Sequence, residues 1–508
     1  MSREERIAGV LLHITSLPGS FENGELGKDA FQFVDFLESC GIKMWQVLPL
    51  GPTMSDLSPY QSTSAHAGNP KLISIDDLNH AHWFDKNQYS LFVDGLDLSL
   101  ESDEISTSDI VQLSLSDEKY RWLRFAYSQF SANASDVERS SLTQFVEAQK
   151  DWLEDYALYA ALKENYENTS WIEWPKELRD RNLAALKDAR ELHSAEIGYV
   201  NFVQFIFYQQ WMSLKKYANS KNVKIFGDLP LFVSHDSADV WANKELFKLD
   251  GEGNLLFVAG VPPDYFSETG QRWGNPVYDW VSHEVDSFNW WIKRLENQFN
   301  LFDHVRIDHF RGLESYWEIP ASHETALKGY WVQAPGKKML EAVERHFGKK
   351  LPLIAEDLGV ITDAVVALKD EFSLPGMKIL QFAFGGGSDN PYLPHNHEVD
   401  SVVYTGTHDN NTTLGWFNEL SDDVKAHIYH YYGESRESMP WLLIRSAYAS
   451  VANMVVLPMQ DLMGLDETGR MNVPGTVDGN WLWRFEWNDL NQPQVVEYLN
   501  GLNGLYER

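Results

Sequence analysis

Eight short apolar runs recur along the 508 residues with stretches of helical periodicity between them, and this alternation constrains the fold more than any other feature. The runs cover 7–13, 42–48, 223–228, 302–308, 353–357, 377–382, 401–405 and 451–457. Residues 28–40 are amphipathic, with Phe31, Val34, Phe36 and Leu37 toward one side, and Gly41 is placed to end the helix. Segments 337–347 and 363–372 read the same way and lead into the next apolar run within a few residues. Strands that alternate with helices predict an α/β chain, and eight of them predict a closed (β/α)8 TIM barrel. An open doubly wound sheet is the alternative, but GSFENGELG after the first run lacks the G-x-G-x-x-G spacing of a dinucleotide site.

Two connections are much longer than a βα unit requires. Residues 74–199 are acidic and largely helical, as in 117–129 and 142–166, and are expected to form an inserted helical subdomain. Residues 230–299 contain the Gly- and Pro-rich LDGEGNLLFVAGVPPDYFSETGQRWGNP and are expected to be a long loop region over the active site. With no repeat or flexible linker in view, residues 1–508 read as a single catalytic barrel carrying these two additions.

Barrel enzymes draw their catalytic side chains from the carboxyl ends of several strands, because all eight ends open on one face. Asp308 closes VRID, Glu356 closes LPLIAE and Asp409 follows YTGTH. Any one acidic residue at such a place is commonly a helix cap or a turn residue. Three together, among Arg, His and Gly, point to chemistry. Two facing carboxyl groups are the minimum for glycoside chemistry, one as nucleophile and one as acid and then base. Arg306, two residues before Asp308, shares its side of a strand and favours an ionised Asp308. Glu356 is then the group that must hold a proton, and a nearby like charge raises its pKa in that direction. Asp357 points to the opposite side of its strand.

Other patterns carry less. DGEGN at 250–254 lacks the sixth and twelfth positions of a calcium loop and reads as a hairpin turn. The pairs Asp308/His309 and His408/Asp409 lack a third nitrogen ligand at helical spacing, so no metal is expected. Trp290-Trp291 and Phe207-Tyr208 sit in helix-like segments and read as packing. Cys40, the only cysteine, excludes internal disulfides, fits a reducing cytoplasm and reads as a buried small side chain.

The segments HVRIDHFRGLESYWEIP, LPLIAEDLG, PGMKILQFAF, YTGTHDNNT and VAGVPPDYFSETGQRWGNPVYDW resemble the 4-α-glucanotransferases, or amylomaltases, within the α-amylase-like superfamily. SPYQSTSAHAGNP and NVPGTVDGNWLWR extend the resemblance over almost the whole chain. It implies transfer of an α-1,4-glucan segment to the 4-hydroxyl of an acceptor by a retaining double displacement, without a cofactor. It implies Asp308 as nucleophile, Glu356 as acid/base, and Asp409 as a group that binds sugar hydroxyls and helps distort the ring. Arg306 and His408 would contact Asp308 and substrate, Tyr60 would stack beside the reacting sugar, and Asp228 would have a hydrogen-bonding or structural role. Trp273 and the loop from Asp264 through Gln271 to Gly274 would close over the glucan. His309 reads as an orienting neighbour, and His66 in SAHAGNP stands where the pattern has an aromatic such as Phe.

Composition agrees with such a substrate. The chain has 42 Lys+Arg against 74 Asp+Glu, a net charge of −32, which repels nucleic acid and anionic membranes but not a neutral glucan. No apolar run is long enough for a membrane span, and the first is broken early by His13, so neither a signal peptide nor a membrane partner is expected. Nineteen Trp, 22 Tyr and 27 Phe must partly fill the core, and flat rings also suit sugar faces. Malto-oligosaccharides, starch or glycogen-type glucans are the expected partners, with the oligomeric state left open. A plain α-glucan hydrolase with the same three carboxylates, or a silent glucan-binding protein, are the rival readings.

Overall fold

The structure is a computed structural model and describes residues 6–19, 23–80, 83–84, 118–263, 268–433 and 435–508. Eight parallel strands form one sheet: β1 (Ile7–Leu11), β2 (Met44–Gln46), β3 (Lys224–Leu229), β6 (His304–Ile307), β9 (Leu353–Ala355), β10 (Gly376–Ile379), β11 (Ser401–Tyr404) and β12 (Met454–Pro458). They lie in the order β10-β11-β12-β1-β2-β3-β6-β9. The Ala355 amide donates to the Pro375 carbonyl at 2.8 Å, so the last strand returns to the first and the sheet is a barrel. Each of the eight apolar runs of the sequence supplies one of these strands.

Period-two alternation divides the barrel strands into two packing layers. Leu11, Met44, Phe226, Ile354, Met377, Ile379, Val402, Tyr404 and Val456 fill the interior. Val10, Trp45, Ile225, Val305, Ile307, Leu353, Val403 and Val455 face outward into the larger core under the helices. The helix Lys28–Ser39 buries Ala30, Phe33, Val34, Phe36 and Leu37. Phe31 is only partly buried and meets Tyr217 instead, because the 3.6-residue period brings Phe33 to the buried face. Gly41 at φ +67° follows the helix in the left-handed conformation that ends it.

The helices Glu118–Asn133, Asp136–Ala148, Lys150–Asn165 and Leu183–Leu192 stand outside the barrel around the long helix Ser194–Ser220. The helical pattern of 142–166 is broken at Gln149, which separates two of them. Phe202 holds this layer together through ring contacts with Trp83, Tyr127 and Phe130 at 5.0–5.9 Å between centroids. Trp45, Trp171, Trp211, Trp241 and Trp291 are fully buried, so much of the aromatic load is core.

The 230–299 segment differs from the loop expected of it. It contains the helices Ala238–Ala242, Trp280–Val285 and Asn289–Leu301, and the strands β4 (Phe257–Val261) and β5 (Gln271–Pro276). With β7 (Ser315–Pro320) and β8 (Tyr330–Gln333) these form a four-stranded antiparallel sheet in the order β5-β4-β7-β8. The strands are short and glycine-interrupted, and β4 pairs with β7 across more than fifty residues, so local pattern hides them. The 250–254 stretch is a turn, with Asp250 Oδ1 accepting the amides of Glu252 and Asn254 at 2.8 and 2.9 Å.

Candidate active site

The interior layer ends in polar side chains. Two residues beyond Phe226 comes Asp228, two beyond Arg306 comes Asp308, and two beyond Ile354 comes Glu356, so the alternation that packs the barrel also delivers these groups to its mouth. Asp228 and Arg306 are register partners on β3 and β6. Ile307 pairs with Ala355, so one step further Asp308 lies beside Glu356 on the neighbouring strand.

Arg306 organises the floor. Its Nε donates to Asp228 Oδ1 and its Nη2 to Asp228 Oδ2, both at 3.0 Å. The same Nη2 donates to Asp308 Oδ1 at 2.7 Å. Tyr60 donates its hydroxyl proton to Asp228 Oδ2 at 2.7 Å and accepts from Arg306 at 3.3 Å. With that proton committed, the 2.9 Å contact between Tyr60 Oη and His408 Nε2 assigns the His408 proton to Nε2. The rings of Tyr60 and His408 stack at 5.3 Å and 17°, and Trp481 lies 6.0 and 5.9 Å from them, giving the mouth an aromatic wall.

Glu356 is held differently. Its Oε2 accepts the His309 amide at 2.7 Å and its Oε1 the Leu358 amide at 2.9 Å, which fixes the carboxyl beside the backbone of Asp308. His309 therefore orients Glu356 through its main chain, in a left-handed conformation at φ +53°. Its ring meets Trp273 edge-on at 4.8 Å and 90°. Trp273 Nε1 in turn donates to Gln271 Oε1 at 3.1 Å, so β5 of the antiparallel sheet sets Trp273 against the His309 ring with Gln271 bonded to it.

Asp409 is half exposed on the other side, 3.4 Å from His408 Nε2. Asn472 Nδ2 donates to Asp409 Oδ1 at 2.7 Å and Arg470 donates to its carbonyl at 3.2 Å. The structure thus gathers Tyr60, Asp228, Arg306, Asp308, His408, Asp409 and Glu356, with Gln271 and Trp273 alongside; Asp264 lies outside the described residues. Asn472 and Trp481 come from NVPGTVDGNWLWR, a segment whose individual residues the sequence does not single out. Asp357 points away, its Oδ1 accepting the Met377 amide at 2.7 Å. His66 stacks on Trp152 at 5.9 Å and 11°, so an aromatic ring does stand at that position.

The electrostatics refine the expectation for Asp308. Burial pushes its carboxyl up to about 8; Arg306 acts in the opposite direction, while Asp228, Glu356 and Asp409 add to the rise. Burial also raises Glu356, against Arg306 and the two amides. The pair therefore retains a proton near neutrality, and the guanidinium bonded to Asp308 favours the charge there and the proton on Glu356. Burial lowers His408, which keeps it neutral.

Comparison with known proteins agrees along the whole chain. The 4-alpha-glucanotransferase family model matches residues 12–490. The chain belongs to this family. A 4-alpha-glucanotransferase of Synechocystis sp. is 45% identical over 508 residues, covering 99% of this chain and 98% of the relative. One from Thermus thermophilus is 47% identical over 487 residues, with 94% of each chain covered. The amylomaltase of Streptococcus agalactiae, solved in complex with acarbose, superposes with a TM-score of 0.90 at 38% identity, covering 99% of this chain and all of that one. This glucanotransferase is thus an enzyme with an amylomaltase barrel, and the hydrolase and silent-binder readings are not favoured. No helix among its described residues is long and apolar enough to cross a membrane.

Proposed function

We propose that this enzyme cleaves an α-1,4 bond between Asp308 and Glu356 and passes the released segment to the 4-hydroxyl of a second glucan. One observation carries the reading: Asp308 and Glu356 sit side by side at the ends of β6 and β9, with Arg306 2.7 Å from Asp308. Neighbouring strands are about 4.8 Å apart. That spacing suits the roughly 5–5.5 Å separation of carboxyl groups that retain configuration.

Asp308 attacks the anomeric carbon while Glu356 gives its proton to the departing O4, and the first product leaves with a free 4-hydroxyl. Glu356, now a carboxylate, takes the proton of the acceptor 4-hydroxyl as that oxygen displaces Asp308 from the sugar. Atoms and configuration balance over the two steps. Arg306 and Tyr60 hold Asp228 and Asp308 in place, and His408 and Asp409 bind hydroxyls of the reacting sugar. Gln271 and Trp273 close over the acceptor side and delay water until a glucan fills it. Malto-oligosaccharides, starch or glycogen-type glucans serve as donor and acceptor in the cytoplasm, a setting that fits one cysteine in 508 residues.

Incubation with maltotriose tests this directly. The expected products are glucose and a ladder of longer glucans, with nearly constant total reducing ends. Reducing ends that rise in step with product formation would overturn transfer.

A further inference from the structure

Behind the loop that carries Tyr60, a cleft of about 750 Å³ opens between the outer helices and the 238–300 segment. Its size falls in the ~300–1,000 Å³ range of ligand sites. None of the residues assigned above to the reaction lines it.

Its walls have a specific chemistry. Trp152, half-buried, lies flat against His66 at 5.9 Å and 11°, and its Nε1 donates to Gln149 Oε1 at 2.8 Å, which fixes the ring. Trp290 lines another part of the wall. The His66 side chain is only 8% exposed, and its Nδ1 has no hydrogen-bond partner among the described residues. Asp151, Asp155, Asp239, Glu245, Asp286 and Glu296 contribute carboxylates, and Asn243, Asn289, Asn297 and Asn300 contribute amides. Among the described residues Lys293 is the one lining Lys or Arg, and it bonds Asp151 at 2.7 Å.

Such a wall rejects anions by Coulomb repulsion. An oily ligand would have to strip water from the carboxylates, which is costly. A neutral polyhydroxyl chain meets both conditions, with hydroxyls on carboxylates and amides and its C–H faces on Trp152. We propose that this cleft binds a second segment of α-glucan, with Trp152 as its platform. The inference rests on the reading that the chain handles α-glucans. It adds a place where a long chain is held away from the reacting bond, so its effect grows with substrate length.

The loop at 58–68 links the two sites. Tyr60 bonds Asp228 and His408 at one end, while at the other Asp239 Oδ2 accepts the Ala65 amide at 2.7 Å and His66 faces Trp152.

Calorimetric titration with maltoheptaose tests the cleft. Full-length Asp308→Asn protein, which cannot consume the ligand, is expected to take up two segments, and Asp308→Asn with Trp152→Ala only one. Ala148→Trp, at the exposed lip, fills the cleft without removing a packed ring and should give the same loss. In the otherwise unaltered enzyme, Trp152→Ala should leave maltotriose turnover within about twofold and raise KM for long amylose about threefold or more. One segment bound by the parent, or two by both cleft variants, overturns the proposal. Maltotriose turnover by the unaltered enzyme reports separately on the transfer reaction.

Discussion

Asp228 and Asp461 are both buried acids at the carboxyl-terminal rim of the barrel, yet their surroundings differ completely. Asp228 faces a cation, with Arg306 spanning both its oxygens and Tyr60 adding a hydroxyl. Asp461, wholly buried, has no cation partner among the described residues: it accepts Thr405 Oγ1 at 2.5 Å, Thr413 Oγ1 at 2.7 Å and the Thr413 amide at 2.8 Å. Burial raises its pKa, with the hydroxyls and the amide acting against the rise. Its bonds tie the end of β11 to the start of the helix Thr413–Glu419, bracketing the loop that carries His408 and Asp409. One acid belongs to a charge network open to substrate, and the other fastens the frame. A shared residue type at a shared level of the barrel therefore does not predict a shared role; the partners decide it.

The comparison breaks most sharply at the network's reactive end. Asp308→Asn should lower transfer by at least about 10³-fold while glucan binding persists, because only the bond-forming oxygen is lost. Glu356→Gln should cost about 10²–10⁴-fold, most severely with poor leaving groups. Steady-state rates with maltotriose check both, and substantial remaining activity in Asp308→Asn would reassign the nucleophile. Arg306→Met comes next. It leaves Asp228 and Asp308 without their cation, a loss of the kind that costs about 3–5 kcal/mol where a buried pair is broken. Urea unfolding should register that loss together with a fall in turnover; full stability would mean that Tyr60 and water suffice for Asp228.

Asp461→Ala should act on the frame. It orphans two hydroxyls and an amide at a cost of about 1–3 kcal/mol. Turnover per folded molecule should change less than in Arg306→Met, and mainly through KM, because only the anchorage of the His408–Asp409 loop is loosened. If kcat collapsed while stability held, Asp461 would belong with the reactive network after all.

The reactive network and the frame are not equally legible in the sequence. Asp308 and Glu356 stand out because period-two strands run directly into them, and a charge on the inward side of an apolar run has no packing explanation. The eight barrel strands are legible for the same reason. Asp461 gives no such signal, since its partners are 48 and 56 residues away and DLMG after an apolar run looks like any helix start. Asn472 and Trp481 reach the site from a glycine-rich loop, and the sheet formed by β4, β5, β7 and β8 depends on long-range pairing. Local periodicity carries none of this.

The smallest effect is a change in how stability depends on pH. Asp308 and Glu356 both titrate at about 4 in an unfolded chain, whereas burial in the fold raises both, Asp308 to about 8, so that the pair together retains one proton. Between those values the native state keeps a proton that the unfolded state releases, so stability falls as pH rises from about 4 to about 8, and the loss is complete above that. Asparagine cannot ionise. Asp308→Asn should therefore melt at nearly the parent's temperature near pH 4 and above it near pH 8.5. The gain should be modest, because about a third of the Asp308 side chain, 32%, is exposed and water offsets part of the effect of burial. Glu356 and Asp461 are also raised by burial, so the variant should keep a downward slope, only a shallower one. A melting-temperature difference that is the same at both pH values would show that Asp308 takes no part in this coupled titration, leaving the retained proton to Glu356 alone.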